Sequence, residues 1–352
     1  MTVEEKTCRL CWGDEDDGPL VQPCACRGSA TWIHKACLEQ WRRTSPRVDA
    51  AYRCGQCMDH YRDGLSLELL RARLQAERAD GEGTVFTLDT LAKQLQVQGK
   101  YDEAEPLHRE ALKVSRETLG DRHPSTLISI SSLGMLLMAK GDLAAAEPLL
   151  REALEVSRET LGDRHPDTLI SINNLGRLLK AKGDFAAAEP LYREALEVQR
   201  ETLGDRHPST LISISSLGML LCDKGDLAAA SPLLREALEV SRETLGDRHP
   251  NTLASINNLG QLLQVKGDFA AAEPLFREAL EVSRATLGNR HPSTLTSITN
   301  LGALLQAKGD LAAAEPLLRE ALGVSRATLG DRHPRTLASI NNLSAHAVEE
   351  QG

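Results

Sequence analysis

The amino-acid sequence predicts a mostly α-helical protein in which a small metal-stapled module precedes an α-solenoid of stacked helix pairs. Two observations carry that prediction. Seven of the eight cysteines of this 352-residue chain lie between Cys8 and Cys57, and from about residue 83 onward the sequence repeats itself every 42 residues. The composition agrees: aromatic residues make up only 3% of the chain, whereas sheets favour β-branched and aromatic residues, and the abundant Ala and Leu are strong helix formers.

The N-terminal segment offers Cys8, Cys11, Cys24, Cys26, His34, Cys37, Cys54 and Cys57 in the order C-x2-C, C-x-C, H-x2-C, C-x2-C. The opening MTVEEKTCRL has no basic-then-apolar signal-peptide layout. Crowded cysteines in such a chain point to metal before disulfides. Eight thiolate and imidazole donors match two closed tetrahedral zinc sites that leave no open position for a reacting water. Both ions are therefore expected to be structural. A segment of roughly 55 residues with few core hydrophobes needs such staples to fold.

Twelve residues separate Cys11 from Cys24, seven separate Cys26 from His34, and sixteen separate Cys37 from Cys54. With these spacings the segment from Cys8 to Cys57 resembles the RING-CH (RINGv) zinc finger of ubiquitin ligases. The resemblance implies a cross-braced two-zinc fold, with Cys8, Cys11, His34 and Cys37 on one ion and Cys24, Cys26, Cys54 and Cys57 on the other. It also implies a ligase that works by positioning a ubiquitin-charged conjugating enzyme, with no catalytic side chain of its own. Leu10, within CRLC, and Trp41, within HKACLEQW, hold the positions at which the family meets that enzyme. Trp12 and Trp32 are read as packing a mini-core. Met58 stands where many RING ligases carry a basic residue, and His60 is read as a surface histidine outside the ligand set. A second reading of the same residues is a non-catalytic zinc-binding adaptor, a protein or histone-peptide reader of the PHD type, which shares the order of ligands but spaces them differently.

Between the cysteines and the repeats, SLELLRARLQAER (66–78) places Leu67, Leu70 and Leu74 on one helical face. This predicts a helix over 65–82 that either caps the first repeat or acts as a spacer.

In the repeats, His-Pro pairs recur at His123, His165, His207, His249, His291 and His333, and glycines at Gly99, Gly141, Gly183, Gly225, Gly267 and Gly309. Each unit reads as two helices. Leu127, Ile130, Leu133 and Leu137 form the apolar stripe of the first, and Ala146, Leu149, Ala153 and Leu154 that of the second. The Ser, Asp or Asn after each proline is the right type for an N-cap; Gly141 ends one helix and Asp142 caps the next. Pro148 costs its helix one hydrogen bond. The histidines are turn residues, because neighbouring units stack roughly 8–10 Å apart while zinc–nitrogen bonds are about 2 Å. Cys222 is read as a lining residue without a redox role.

These units resemble the 42-residue tetratricopeptide (TPR) repeat of kinesin light chains. Gly134, Gly141, Ala146 and Ala153 match the family's small packing positions, and Gly176, Gly183, Ala188 and Ala195 repeat them. The domain organisation expected is a zinc domain at 1–64, a helical linker at 65–82, six repeats at 83–334, and a capping helix and tail at 335–352. The resemblance implies a concave groove lined by first helices, including Asn173, Arg177, Lys180, Asn257, Gln261, Met135 and Met219. An extended peptide with an acidic residue is the expected guest. The linker lacks the sustained heptads that would pair a kinesin light chain with a motor chain.

Several classes are excluded. With 41 basic and 50 acidic residues the net charge is −9, which disfavours nucleic-acid binding. No apolar run approaches the roughly 20 residues of a membrane span. A cytoplasmic protein is expected, with the nucleus as the other possibility. Its expected partners are a conjugating enzyme and a soluble protein substrate.

Overall fold

The computed structural model describes residues 6–21, 32–45, 54, 65–80, 85–97, 99–289, 291–331 and 334–349. The chain divides into two compact units, residues 1–114 and 115–352.

In the first unit a short antiparallel pair, β1 (Leu20–Val21) and β2 (Ile33–His34), sets Leu20 opposite His34 and Val21 opposite Ile33. Helix α1 (Lys35–Thr44) follows at once, so His34 ends a strand and begins a helix. A mini-core of Cys8, Ile33, Leu38 and Cys54 gathers here, with Leu20, Val21, Cys37 and Trp41 packed around it. Among the described residues this core has four buried side chains, and so small a core is what a metal staple reinforces. Helix α2 (Leu65–Asp80) then buries Leu67, Leu70 and Leu74 and packs on α3 (Val85–Val97). It acts as a cap on the first helix pair. Its start is tied to α1 by Arg42, which donates to Ser66 Oγ at 2.8 Å, and by the Arg43–Glu68 pair. Helix α4 (Tyr101–Leu119) completes the first pair.

The following pairs are α5 (Pro124–Lys140) with α6 (Leu143–Leu161), α7 (Pro166–Ala181) with α8 (Phe185–Leu203), and α9 (Pro208–Asp223) with α10 (Leu227–Leu245). Then come α11 (Pro250–Val265) with α12 (Phe269–Leu287), α13 (Pro292–Ala307) with α14 (Leu311–Leu329), and a closing helix, α15 (Pro334–Glu349). Leu127, Ile130, Leu133 and Leu137 are all buried, as their spacing requires. In the second helix Leu150, not Leu149, joins Ala146, Ala153 and Leu154 in the core. The reason is the partner helix: Leu150 seats on Gly134, where an added Cβ would fall 2.8 Å from its Cδ2. The same seat holds Tyr192 over Gly176 and Phe276 over Gly260.

The caps differ from the sequence expectation in an instructive way. Histidine itself is the N-cap, and its Nδ1 accepts the backbone N–H two residues on: His123 from Ser125 at 3.1 Å, His165 from Asp167 at 3.2 Å, His249 from Asn251 at 3.1 Å. The intervening proline occupies the first helical turn, where its missing N–H is harmless. Asp142 caps α6 as expected, accepting from Ala145 N–H at 3.0 Å. Gly141 ends α5 at φ 87°, a left-handed conformation that suits glycine. Among the described residues no helix is long and apolar enough to cross a membrane.

Candidate functional site

The N-terminal site starts from a tight knuckle. The N–H of Cys8 donates to the Gly13 carbonyl at 2.7 Å, and that of Trp12 to the Cys8 carbonyl at 2.8 Å. The knuckle presents Cys8 and Cys11 toward the strand–helix junction, which supplies His34 and, one turn into α1, Cys37. The donor atoms of these four residues all lie within 4.8 Å of one another. His34 Nδ1 stands 3.2 Å from Cys11 Sγ and 3.9 Å from Cys37 Sγ. A tetrahedral zinc with bonds of about 2.3 Å to sulfur and 2.0–2.1 Å to nitrogen sets neighbouring donors roughly 3.5–3.8 Å apart, so the set fits.

The surroundings fit as well. His34 Nε2 lies 2.6 Å from the Asp14 carbonyl. A carbonyl only accepts, so Nε2 carries the hydrogen and Nδ1 keeps its lone pair for a metal, the usual arrangement behind a ligating histidine. Burial pushes the Cys8 thiol up, but backbone N–H donors from His34, Cys11 and Leu10 outweigh it and hold the thiol down at about 6. Cys37 is pushed up to about 11, by burial first and then by its cysteine neighbours. Neighbouring thiols that cannot all ionise freely are what a dication relieves.

Cys54 is buried in the same mini-core, with Arg9 Nη2 donating toward its sulfur at 3.6 Å. Cys24, Cys26 and Cys57, expected beside it, lie outside the described residues, as do Met58 and His60. Leu10 is 42% exposed. Trp41 is half-buried and packs against the mini-core. Trp12 overturns its sequence reading: it is 77% exposed, at φ 64°, on the same knuckle as Leu10. The residue directly follows the C-x2-C turn, where its N–H closes back onto the Cys8 carbonyl and its side chain is left in solvent. Trp32 is half-buried with the Lys6 ammonium 4.6 Å over its ring.

A second concavity lies in the repeat array. A cavity of about 800 Å³ is lined by Met138, Arg177, Lys180, Tyr192, Met219 and Asp223, among others. Lys180 is paired with Asp223 at 3.0 Å, which leaves Arg177, exposed, as the cation there without a carboxylate partner among the described residues. Tyr192, 1% exposed, lines the same cavity, and burial pushes its hydroxyl up to about 12. Sequence reasoning missed Tyr192 because its helix position belongs to the core in sibling units. Met135 and Gln261 are half-buried, Gln261 donating to Asn300 at 3.4 Å. The asparagines expected to meet a guest are engaged inside the stack. Asn173 donates to the Leu169 carbonyl and to Ser213; Asn257, only 7% exposed, donates to the Leu253 carbonyl and to Ser297. Their amides link adjacent repeats. Cys222, expected to line the groove, is instead buried, and burial raises its thiol.

Comparison with known proteins assigns the cysteine-rich segment and the repeats to two different families. The RING-variant domain matches residues 8–57, and the tetratricopeptide repeat matches overlapping segments from 84 to 352. The N-terminal region is 39% identical over 69 residues to the E3 ubiquitin-protein ligase MARCHF5 of Xenopus laevis, a match covering 17% of this chain and 24% of that protein. It is 49% identical over 39 residues to the human E3 ubiquitin-protein ligase MARCHF8, covering 11% of this chain and 13% of that protein. The chain thus spans a quarter or less of the length of these two relatives. Among solved structures, a kinesin-light-chain-type protein of Podosopora anserina with nearly identical TPR-like repeats is 28% identical, covering 61% of this chain and 98% of that one at a TM-score of 0.49.

Proposed function

The chain belongs to the tetratricopeptide-repeat family and carries a RING-variant domain ahead of its six repeats, and from that premise we propose that it is a RING-type ubiquitin-protein ligase whose repeats recruit a soluble protein substrate. The observation that carries the reading is the pairing of a closed Cys8–Cys11–His34–Cys37 donor set with exposed apolar side chains on the same knuckle. Four protein donors leave a metal no vacant position for chemistry, so the metal shapes a docking surface.

Residues 1–64 form the ligase module, 65–82 the joining helix, 83–334 the recruiting array, and 335–352 a cap and tail. Two zinc ions staple the module: Cys8, Cys11, His34 and Cys37 hold one, and Cys24, Cys26, Cys54 and Cys57 the other. Zinc supplies fold stability here, not a reacting group. Leu10, Trp12 and Trp41 meet the ubiquitin-charged conjugating enzyme, and Leu10 and Trp12 are the exposed anchors of that contact. Catalysis is positioning: the ligase holds the thioester in the geometry a substrate lysine attacks. The substrate segment lies along the groove, where Arg177 receives an acidic residue and Met138 and Met219 adapt to an apolar one. Metal-ready thiols fit the reducing cytoplasm or nucleus.

The test is self-ubiquitination by the full chain with a panel of conjugating enzymes, beside Leu10→Ala and Trp41→Ala variants that retain zinc. Conjugates formed by the native protein and lost in both variants support the ligase and its docking surface. Silence across the panel with zinc bound would return the module to a non-catalytic adaptor.

A further inference from the structure

Among the described residues the repeat array carries a ladder of ion pairs that is interrupted at the fourth repeat. At the start of each second helix a glutamate accepts from the arginine four residues on: Glu147 from Arg151 at 2.8 Å, Glu189 from Arg193 at 2.8 Å, Glu273 from Arg277 at 2.7 Å. The same three carboxylates also take the ammonium of a lysine in the next repeat: Lys182, Lys224 and Lys308 respectively. The fourth sibling position is Ser231, not glutamate. Its two cations, Arg235 and Lys266, are both present and exposed, and neither has a carboxylate partner among the described residues.

The four lysines are otherwise equivalent. Lys182, Lys224, Lys266 and Lys308 each form the C-cap of a first helix, with φ between −72° and −81° and ψ between −7° and −12°. Each precedes the same Gly-Asp turn. Of the eleven lysines of the chain, Lys6, Lys35, Lys93, Lys100, Lys180, Lys182, Lys224 and Lys308 are ion-paired. Lys113 and Lys140 also have interaction partners. Lys266 is the remaining one.

We infer that Lys266 is the preferred acceptor within the repeat array when this chain modifies a copy of itself with ubiquitin; the inference rests on the ligase reading above. An acceptor lysine must present a neutral, unencumbered amine. Its Nζ attacks the carbonyl carbon of the ubiquitin C-terminal glycine held as a thioester on the conjugating enzyme. The N–C bond forms, the C–S bond breaks, the enzyme's cysteine leaves as thiolate, and the nitrogen's proton passes to solvent. Lys182, Lys224 and Lys308 must first leave a charge-assisted hydrogen bond, whereas Lys266 has none to break. Exposed pairs of this kind are weak, so the advantage is about two- to fivefold over each sibling.

The experiment uses the full chain with zinc, activating enzyme, an active conjugating enzyme, ubiquitin and ATP. Ubiquitin-remnant peptides are quantified at the four equivalent lysines by mass spectrometry. Brief labelling of the folded protein with an amine-reactive N-hydroxysuccinimide ester serves as a readout independent of the ligase. The expected result is enrichment at Lys266 in both readouts. Ser231→Glu, which restores the rung, brings Lys266 down to the level of its siblings, and Glu189→Ser raises Lys224. Conjugates spread evenly over the four lysines and insensitive to both substitutions overturn this inference alone. Absence of any conjugate, with zinc bound, overturns the ligase reading and the acceptor role together, even where ester labelling singles out Lys266.

Discussion

Replacing Trp12 with glycine separates two roles that a tryptophan beside a metal-binding cysteine can play. A core tryptophan would leave a cavity, costing about 3–5 kcal/mol and the metal with it. The structure instead has Trp12 77% exposed on a backbone at φ 64°. A bulky residue in that region is strained by roughly 1–2 kcal/mol, and glycine relieves this at an unfolded-state entropy cost of about 0.5–1 kcal/mol. Trp12→Gly should therefore leave the module as stable as before or up to about 1.5 kcal/mol more so. Docking should suffer. An aromatic side chain buries about 150–250 Å², so the 77% exposure of Trp12 offers a ceiling of about 3–5 kcal/mol at about 25 cal/mol per Å². Allowing for ordering costs, a loss of about 2 kcal/mol is expected, about 30-fold in Kd for the conjugating enzyme. Zinc retention against a graded chelator and calorimetric titration with the conjugating enzyme read the two effects on the same preparation. A variant that releases zinc early, or one that binds as tightly as the native protein, would refute this account of Trp12.

Three further outcomes follow. Elemental analysis should find two zinc ions per chain; stripping them should change the tryptophan fluorescence, since all three tryptophans lie in the first 41 residues, while the far-ultraviolet helical signal largely persists. His165→Ala should lower the stability of the repeat array by about 1 kcal/mol, and His165→Asn should restore most of it, as read by thermal melting. The third outcome concerns acid. Hydrogen bonds from Lys182, Lys224 and Lys308 first, and then from Arg151, Arg193 and Arg277, hold Glu147, Glu189 and Glu273 below the ordinary value of 4.5. A folded value below the unfolded one contributes stability above about pH 4.5 that is lost as the pH falls through the lowered value. Urea midpoints measured from pH 6 to 3 should fall more steeply for the native chain than for the Glu147→Gln, Glu189→Gln, Glu273→Gln variant. Parallel slopes would show that these rungs carry no net stability.

What could be read from the sequence was what recurs along the chain. The 42-residue period put Leu127, Ile130, Leu133 and Leu137 on one face, because helical geometry alone decides which residues share a stripe. The C-x2-C and H-x2-C spacings marked Cys8, Cys11, His34 and Cys37 as donors, since two-residue gaps let a knuckle and a helical turn aim at one point. Turn glycines and capping aspartates were legible for the same local reason.

What only the tertiary structure decided depends on a neighbour the sequence does not name. Leu150 rather than Leu149 enters the core because its side chain seats directly on Gly134, sixteen residues away, where the missing Cβ leaves room. Asn257 looked like a groove residue, yet the next repeat brings Ser297 and Asn300 within reach and the amide turns inward. Histidine caps the first helices because the proline after it sets the backbone from which its Nδ1 meets an N–H two residues on. Trp12 lies in a stretch that reads as core until the knuckle's hydrogen bonds turn it outward. Periodicity assigns a residue to a face of its own helix; which neighbour that face meets, and so whether a side chain packs, pairs or stays open to a partner, is decided only where two elements touch.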